Sequence, residues 1–161
     1  MSDKEKHPQS GSGDEAKTNP RHANRIAAMQ FLYSWDTCQP ANLVEFTRQF
    51  FTTQEEKREF YSFAEELVSG AIEHISETDE AIRLYAKNWA FDRIAKVDLA
   101  ILRLAIYELL HRRDIPPVVT INEAIELAKI FSASDAKRFI NGILDRVKAQ
   151  LNRPLREAAR D

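Results

Sequence analysis

The segment that most restricts the fold is 95–112. Wound as a helix it is apolar nearly all round: Val97, Leu99, Ala100, Ile101, Leu102, Leu104, Ala105, Ile106, Leu109 and Leu110. At about 3.6 residues per turn these positions leave no broad polar stripe to face water, so the helix must be covered by neighbours. The Pro116-Pro117 pair stops it, because proline cannot continue a helix and restricts the residue before it.

The covering elements also follow a helical period. A first helix is predicted over 21–35, ending before the turn-prone stretch 36–40, and a short second one over 42–51. A third over 54–75 carries Phe60, Phe63, Ala64, Leu67, Val68, Ala71 and Ile72, and a fourth begins near Glu77. The sixth shows the stripe Ile121, Ala124, Ile125, Ala128, with Thr120 and Glu123 spaced as a capping box. The seventh starts at Ser134 as N-cap, with the stripe Ile140, Ile143, Leu144, Val147, Leu151. No segment alternates with a two-residue period, so the expected class is all-α, with about seven helices. Residues 1–20 have no large aliphatic or aromatic side chain after Met1, and burial there could not offset the entropy of ordering. The expected organisation is a disordered tail over 1–20, one folded domain over 21–151 and a flexible C-terminal tail over 152–161.

Composition narrows the function. One cysteine, Cys38, leaves no internal disulfide and fits a reducing compartment. No apolar run approaches the roughly 18 residues of a membrane span, and no apolar signal core stands at the N-terminus, so a cytoplasmic protein is expected. A net charge of −2 means that any nucleic-acid contact must come from a local patch. His7, His22, His74 and His111 show no metal-type spacing with one another or with Cys38. Gly11 and Gly13 fall in the tail, while Gly70 and Gly142 fall inside helices, so no glycine-rich phosphate loop is formed. Glu65 and Glu66 are adjacent and point to different sides of a helix. The expectation is a protein that is not an enzyme and uses no metal or cofactor.

The polar residues of the central segment need partners. Asp98, Arg103 and Glu108 point in three directions; Arg103 and Glu108 read as buried, paired charges that fix helix register. Asp98 suits the start of the helix dipole, or equally a contact for a partner. The first helix has two apolar faces: Ala28, Phe31, Leu32 and Trp35 on one, Ile26, Met29 and Tyr33 on the other. The second face must bury against another part of the fold or a partner protein. Arg21, His22 and Arg25 at its start could grip phosphates or could form a solvated helix end. Phe139 lies about 100° from the centre of the seventh stripe. With Arg138, Arg146 and Gly142 nearby, it could stack on an unpaired base or pack on a neighbouring helix.

The segments AMQFLYSW (28–35), KVDLAILRLAIYELLHRRDIPP (96–117), INEAIELAKIF (121–131) and FINGILD (139–145) together resemble the NusB family of bacterial transcription antitermination factors. The likeness spans 21 to about 151 and is weak between 36 and 89. It implies two small three-helix bundles packed together, with the first helix bridging them, and no catalysis or cofactor. It implies binding to ribosomal protein S10 (NusE), and recognition by that pair of single-stranded boxA-type RNA in ribosomal RNA transcripts. With other Nus factors the pair makes the RNA polymerase elongation complex resist termination. Carried over by position, RNA contacts would come from Arg21, His22, Arg25, Asp135, Lys137, Arg138 and Phe139, and the S10-facing surface would include Tyr33 and Asp98. The family's dense arginine run is thinner here, Arg21-His22-Ala23-Asn24-Arg25, and Ser132 stands where the family usually has glycine. Two other readings remain. One is the RNA-binding domain of an rRNA cytosine methyltransferase, against which the short segment after Leu151 speaks. The other is a protein-only interaction module or homodimer with weak RNA binding.

Overall fold

The computed structural model describes residues 19–159, and these are helical without strands. Seven α-helices follow in order: α1 (Pro20–Cys38), α2 (Leu43–Thr52), α3 (Ser62–Glu73), α4 (Ile75–Tyr85), α5 (Lys96–His111), α6 (Pro117–Phe131) and α7 (Ala136–Ala149). Short 3-10 turns, Arg58–Tyr61 and Phe91–Arg93, lead towards α3 and α5. The N-terminal tail expected over 1–20 lies outside the described residues except for Asn19 and Pro20, and Pro20 already opens α1.

α5 is the central element. It packs against α1, α3, α4, α6 and α7, and every residue from Asp98 to Leu109 is buried. Ile101, Leu102 and Ile106 are fully enclosed, each contributing about 1.5–3 kcal/mol of burial. α1 touches α3, α5 and α6. α2 is attached largely through aromatic rings: Phe31 of α1 meets Phe46 and Phe50 edge-on with centroids 5.2 Å apart, and stacks on Phe51 at 5.6 Å.

Both charges inside α5 are paired, as the sequence suggests, though not with each other. Arg103 donates to Asp79 of α4 through Nε and Nη2 and to Asp36 of α1 through Nη1, all at 2.9 Å. Glu108 receives Arg25 of α1 and the Thr120 hydroxyl of α6.

These cross-helix bonds explain several departures from the expected boundaries. α1 runs past 35 to Cys38, because Lys96 and Arg103 engage the Asp36 carboxylate instead of leaving it to turn the chain. Gln39, at φ 45°, then closes the helix in the left-handed region. The single helix expected over 54–75 is divided, since the Asn24 side chain accepts from Ala64 N–H in the first turn of α3 and donates to the Phe60 carbonyl. Thr120 forms no capping box: α6 starts at Pro117, and the Thr120 hydroxyl donates to Glu108 at 3.0 Å. Ser134 is not the cap of α7, which begins at Ala136 after Asp135.

The described part of the segment 152–161 makes contacts with the helices. Arg153 donates to the carbonyls of Glu108 and Leu109 in the last turn of α5 and to that of Ile115 beyond it. Val118 N–H donates to the Leu155 carbonyl, and Ala159 N–H donates to that of Arg113. Residues 153–159 therefore lie as a strap across the α5–α6 turn.

Candidate nucleic-acid and partner interface

The start of α5, the end of α6 and the start of α7 converge on a groove of about 360 Å³, lined among others by Trp89, Val97, Asp98, Phe131, Asp135 and Phe139. Residues of the loop before α5, Arg93 and Ile94 among them, and of the short α6–α7 turn complete its lining. Ser132 sits in that turn with an extended backbone, φ −116° and ψ 174°, so glycine is not needed there. Its hydroxyl donates to the Asp98 carboxylate, which lies near the groove floor at 8% exposure.

Phe139 has a place compatible with both readings left open for it. The ring packs on the edge of the core and also lines the groove, meeting Trp89 edge-on with centroids 5.8 Å apart. Trp89 is 57% exposed. On the other side of this aromatic pair lies a second depression of about 300 Å³, whose lining includes Lys87, Arg138, Gly142 and Arg146. Arg146 also donates to the Tyr85 carbonyl, tying α7 to the end of α4. Two rings thus separate an apolar groove holding two carboxylates from a cationic depression. Such rings can stack on an unpaired base, cations beside them can hold its phosphates, and Asp98 and Asp135 can accept from amino or amide groups. Lys137 is exposed on the same first turn of α7.

The basic start of α1 forms a separate neighbourhood. Arg21 is exposed, with its guanidinium 4.5 Å from the centroid of the Phe63 ring. His22 Nδ1 lies 2.8 Å from a Glu123 carboxylate oxygen. Arg25 has to be removed from the set of accessible cations: it is 2% exposed and bound to Glu108 through Nε and Nη2. A guanidinium so enclosed cannot reach a phosphate without breaking a buried pair. Asn24 is likewise internal, at 2% exposure.

The second apolar face of α1 is split. Met29 is buried in the core, whereas Tyr33 is 41% exposed. One turn beyond Tyr33, Asp36 pairs with Lys96 of α5 at 2.8 Å, so Tyr33 and Asp98 stand on the two helices that this pair joins. Burial pushes the Asp36 carboxyl up, but Lys96 and Arg103 outweigh it and hold its pKa below the ordinary value.

Sequence periodicity gave no sign of Trp89 or Lys87 as site residues, because they lie in the loop between α4 and α5 where no period applies. An aromatic among polar residues in a loop was the one available signal.

Helices arranged around a buried central one, with exposed Trp89 and half-buried Phe139 paired between an apolar and a cationic depression, define an all-helical binding module. The NusB family profile matches residues 22–149, and the chain belongs to that family. It is 47% identical over 133 residues to the transcription antitermination protein NusB of Geobacter sulfurreducens, covering 81% of this chain and 95% of that protein. It is 41% identical over 136 residues to the protein of the same name from Thermodesulfovibrio yellowstonii, covering 79% and 90%. Among solved structures it resembles T. maritima NusB, with TM-score 0.73, 34% identity and coverage of 82% and 92%. It also resembles a chain in a crystal structure of the antitermination factors NusB and NusE in complex with dsRNA, with TM-score 0.71, 27% identity and coverage of 82% and 98%.

Proposed function

We propose that this protein is a cytoplasmic transcription antitermination factor without catalytic activity. It binds single-stranded boxA-type RNA of ribosomal RNA transcripts together with ribosomal protein S10 (NusE), and acts with other Nus factors on the RNA polymerase elongation complex. Membership of the NusB family supports this reading, and the site feature that carries it is the Trp89–Phe139 pair beside Lys87, Arg138 and Arg146. Bases in a duplex are already stacked on one another, so an aromatic pair that meets solvent through Trp89 favours an unpaired base over a paired one. Lys137, Arg138 and Arg21 supply phosphate contacts, His22 and Asp135 supply polar contacts, and Tyr33 and Asp98 face S10. Arg25 contributes by holding α1 in place, not by touching RNA.

The test is a titration of fluorescently labelled boxA-type RNA with the protein, alone and with S10, against scrambled and duplex RNA of equal length. Tighter binding of the single-stranded boxA sequence when S10 is present is the expected result. Equal affinity for all three RNAs in both conditions would overturn the specificity. Binding of S10 with no RNA bound at all would favour a protein-only interaction module. Substituting Lys137 and Arg138 together by Gln should lower the slope of log K against log salt by about 0.7 for each lost phosphate contact.

A further inference from the structure

Folding brings together two histidines that are far apart in the sequence. His74 sits at the junction of α3 and α4, and His111 is the last residue of α5. Their rings stack with centroids 3.7 Å apart, and His111 also stacks against Tyr107 at 5.8 Å. Glu77, in the first turn of α4, turns one carboxylate oxygen to both of them. It lies 2.8 Å from His111 Nε2 and 3.6 Å from His74 Nδ1. The three side chains are 27–53% exposed. The sequence contains no metal-type histidine spacing, but in space the three ligand atoms lie within 4.8 Å of one another.

We propose that His74, Glu77 and His111 form a binding site for a late first-row divalent ion such as Zn2+. Two imidazole nitrogens and one carboxylate oxygen are donors suited to these metals. In a tetrahedral zinc site with bonds of about 2.0–2.1 Å, the ligand atoms stand about 3.4 Å apart. The stacked imidazoles would have to swing apart so that His74 Nδ1 and His111 Nε2 turn towards one point, with the ion entering where Glu77 now meets them. The fourth position faces solvent and is left to water. The setting also favours a cation, since His111 lies in the last turn of α5, at the negative end of its dipole. Bound metal would join the α3–α4 junction to the end of α5, on a different part of the surface from the Trp89–Phe139 site. The inference is independent of RNA binding.

The experiment uses the untagged full-length chain, freed of metal by chelation, titrated with Zn2+ in competition with a chromophoric chelator, and separately with Co2+ followed by its visible ligand-field bands. One equivalent should bind, with Co2+ bands of low coordination number and a raised melting temperature. Glu77→Gln and His111→Gln should each weaken Zn2+ binding by roughly tenfold or more, at least the loss typical of removing an outer-shell partner. His22→Gln should leave binding unchanged. Circular dichroism checks that each variant folds; if His111→Gln does not, the exposed Glu77→Gln decides. Absence of Zn2+ binding, or binding equally tight in Glu77→Gln and wild type, would overturn the proposal.

Discussion

Arg25 and Glu108 are 83 residues apart and form a forked ion pair in the interior, with Nη2 2.8 Å and Nε 3.1 and 3.2 Å from the carboxylate oxygens. Their side chains are 3% and 2% exposed. Thr120 fills a remaining lone pair of the carboxylate, so α1, α5 and α6 meet at one polar point. A lone charge left there would have neither water nor partner. Arg25→Ala or Glu108→Ala should therefore destabilise the protein by about 3–5 kcal/mol, measured by urea unfolding. A matched apolar replacement of both residues should recover much of that loss.

Phe139→Ala and Trp89→Ala should each weaken RNA binding by about 1–3 kcal/mol if the rings carry a base. Trp89 is the cleaner probe, since it is more than half exposed and its loss opens little of the core. The measurement is RNA affinity beside melting temperature for both variants. If Trp89→Ala leaves RNA affinity unchanged while Phe139→Ala lowers only the melting temperature, the aromatic pair is packing and not a platform.

Asp36 gives a defined pH response. Its folded pKa lies below the ordinary 3.8, because Lys96 and Arg103 outweigh the opposing effect of burial. A depressed folded value means that the unfolded chain takes up the proton first. The stabilisation is complete above the unfolded value and is lost as pH falls through the lower folded one. Unfolding free energy should drop below about pH 4. Asp36→Asn should be less stable at neutral pH and show a shallower acid slope, leaving the part due to Asp114, which Arg112 holds down in the same sense.

The two glycines inside helices should answer in opposite ways. A methyl group on Gly70 would fall 1.9 Å from the Tyr107 hydroxyl oxygen and 2.1 Å from its Cζ, so the ring would have to leave its place. Gly70→Ala should destabilise by about 1–3 kcal/mol or more through overpacking. Gly142 has nothing within 4 Å of such a methyl, and Gly142→Ala should stabilise α7 by up to about 1 kcal/mol. Thermal unfolding of the two variants decides both.

The chain is unevenly informative about itself. The centrality of α5 is visible in its sequence because burial on every side removes the polar stripe. The pairing of Arg103 and Glu108 inside it is visible for the same reason. Their partners are not, since Asp79, Asp36 and Arg25 lie 24, 67 and 83 residues away and no local pattern marks them. The basic start of α1 is misjudged on the same account: Arg25 looks like a surface cation until Glu108 is placed beside it. Helix ends differ from the sequence expectation where a side chain from elsewhere intervenes, as Asn24 does at Ala64 and as Lys96 and Arg103 do at Asp36 of α1. Phe139 stands out because it is off the periodic stripe, whereas Trp89 lies in a loop where nothing is periodic. The contacts of the C-terminal segment are not legible either, since Arg153 meets carbonyls 38 and 44 residues back in the chain.

The order in which these partners leave the ribosome matters as well. α1 is made early, yet Arg25 has no counter-charge until Glu108 is synthesised and no complete polar shell until Thr120 follows. Until then its apolar sides, including Ala28, Phe31 and Leu32, must wait or be covered by something else. α5 closes the structure only after α1 to α4 have been made, and Arg153, further along the chain, then fastens its end. A nascent chain stalled before residue 108 should therefore hold α1 in a protease-sensitive state, and release of the completed chain should protect it.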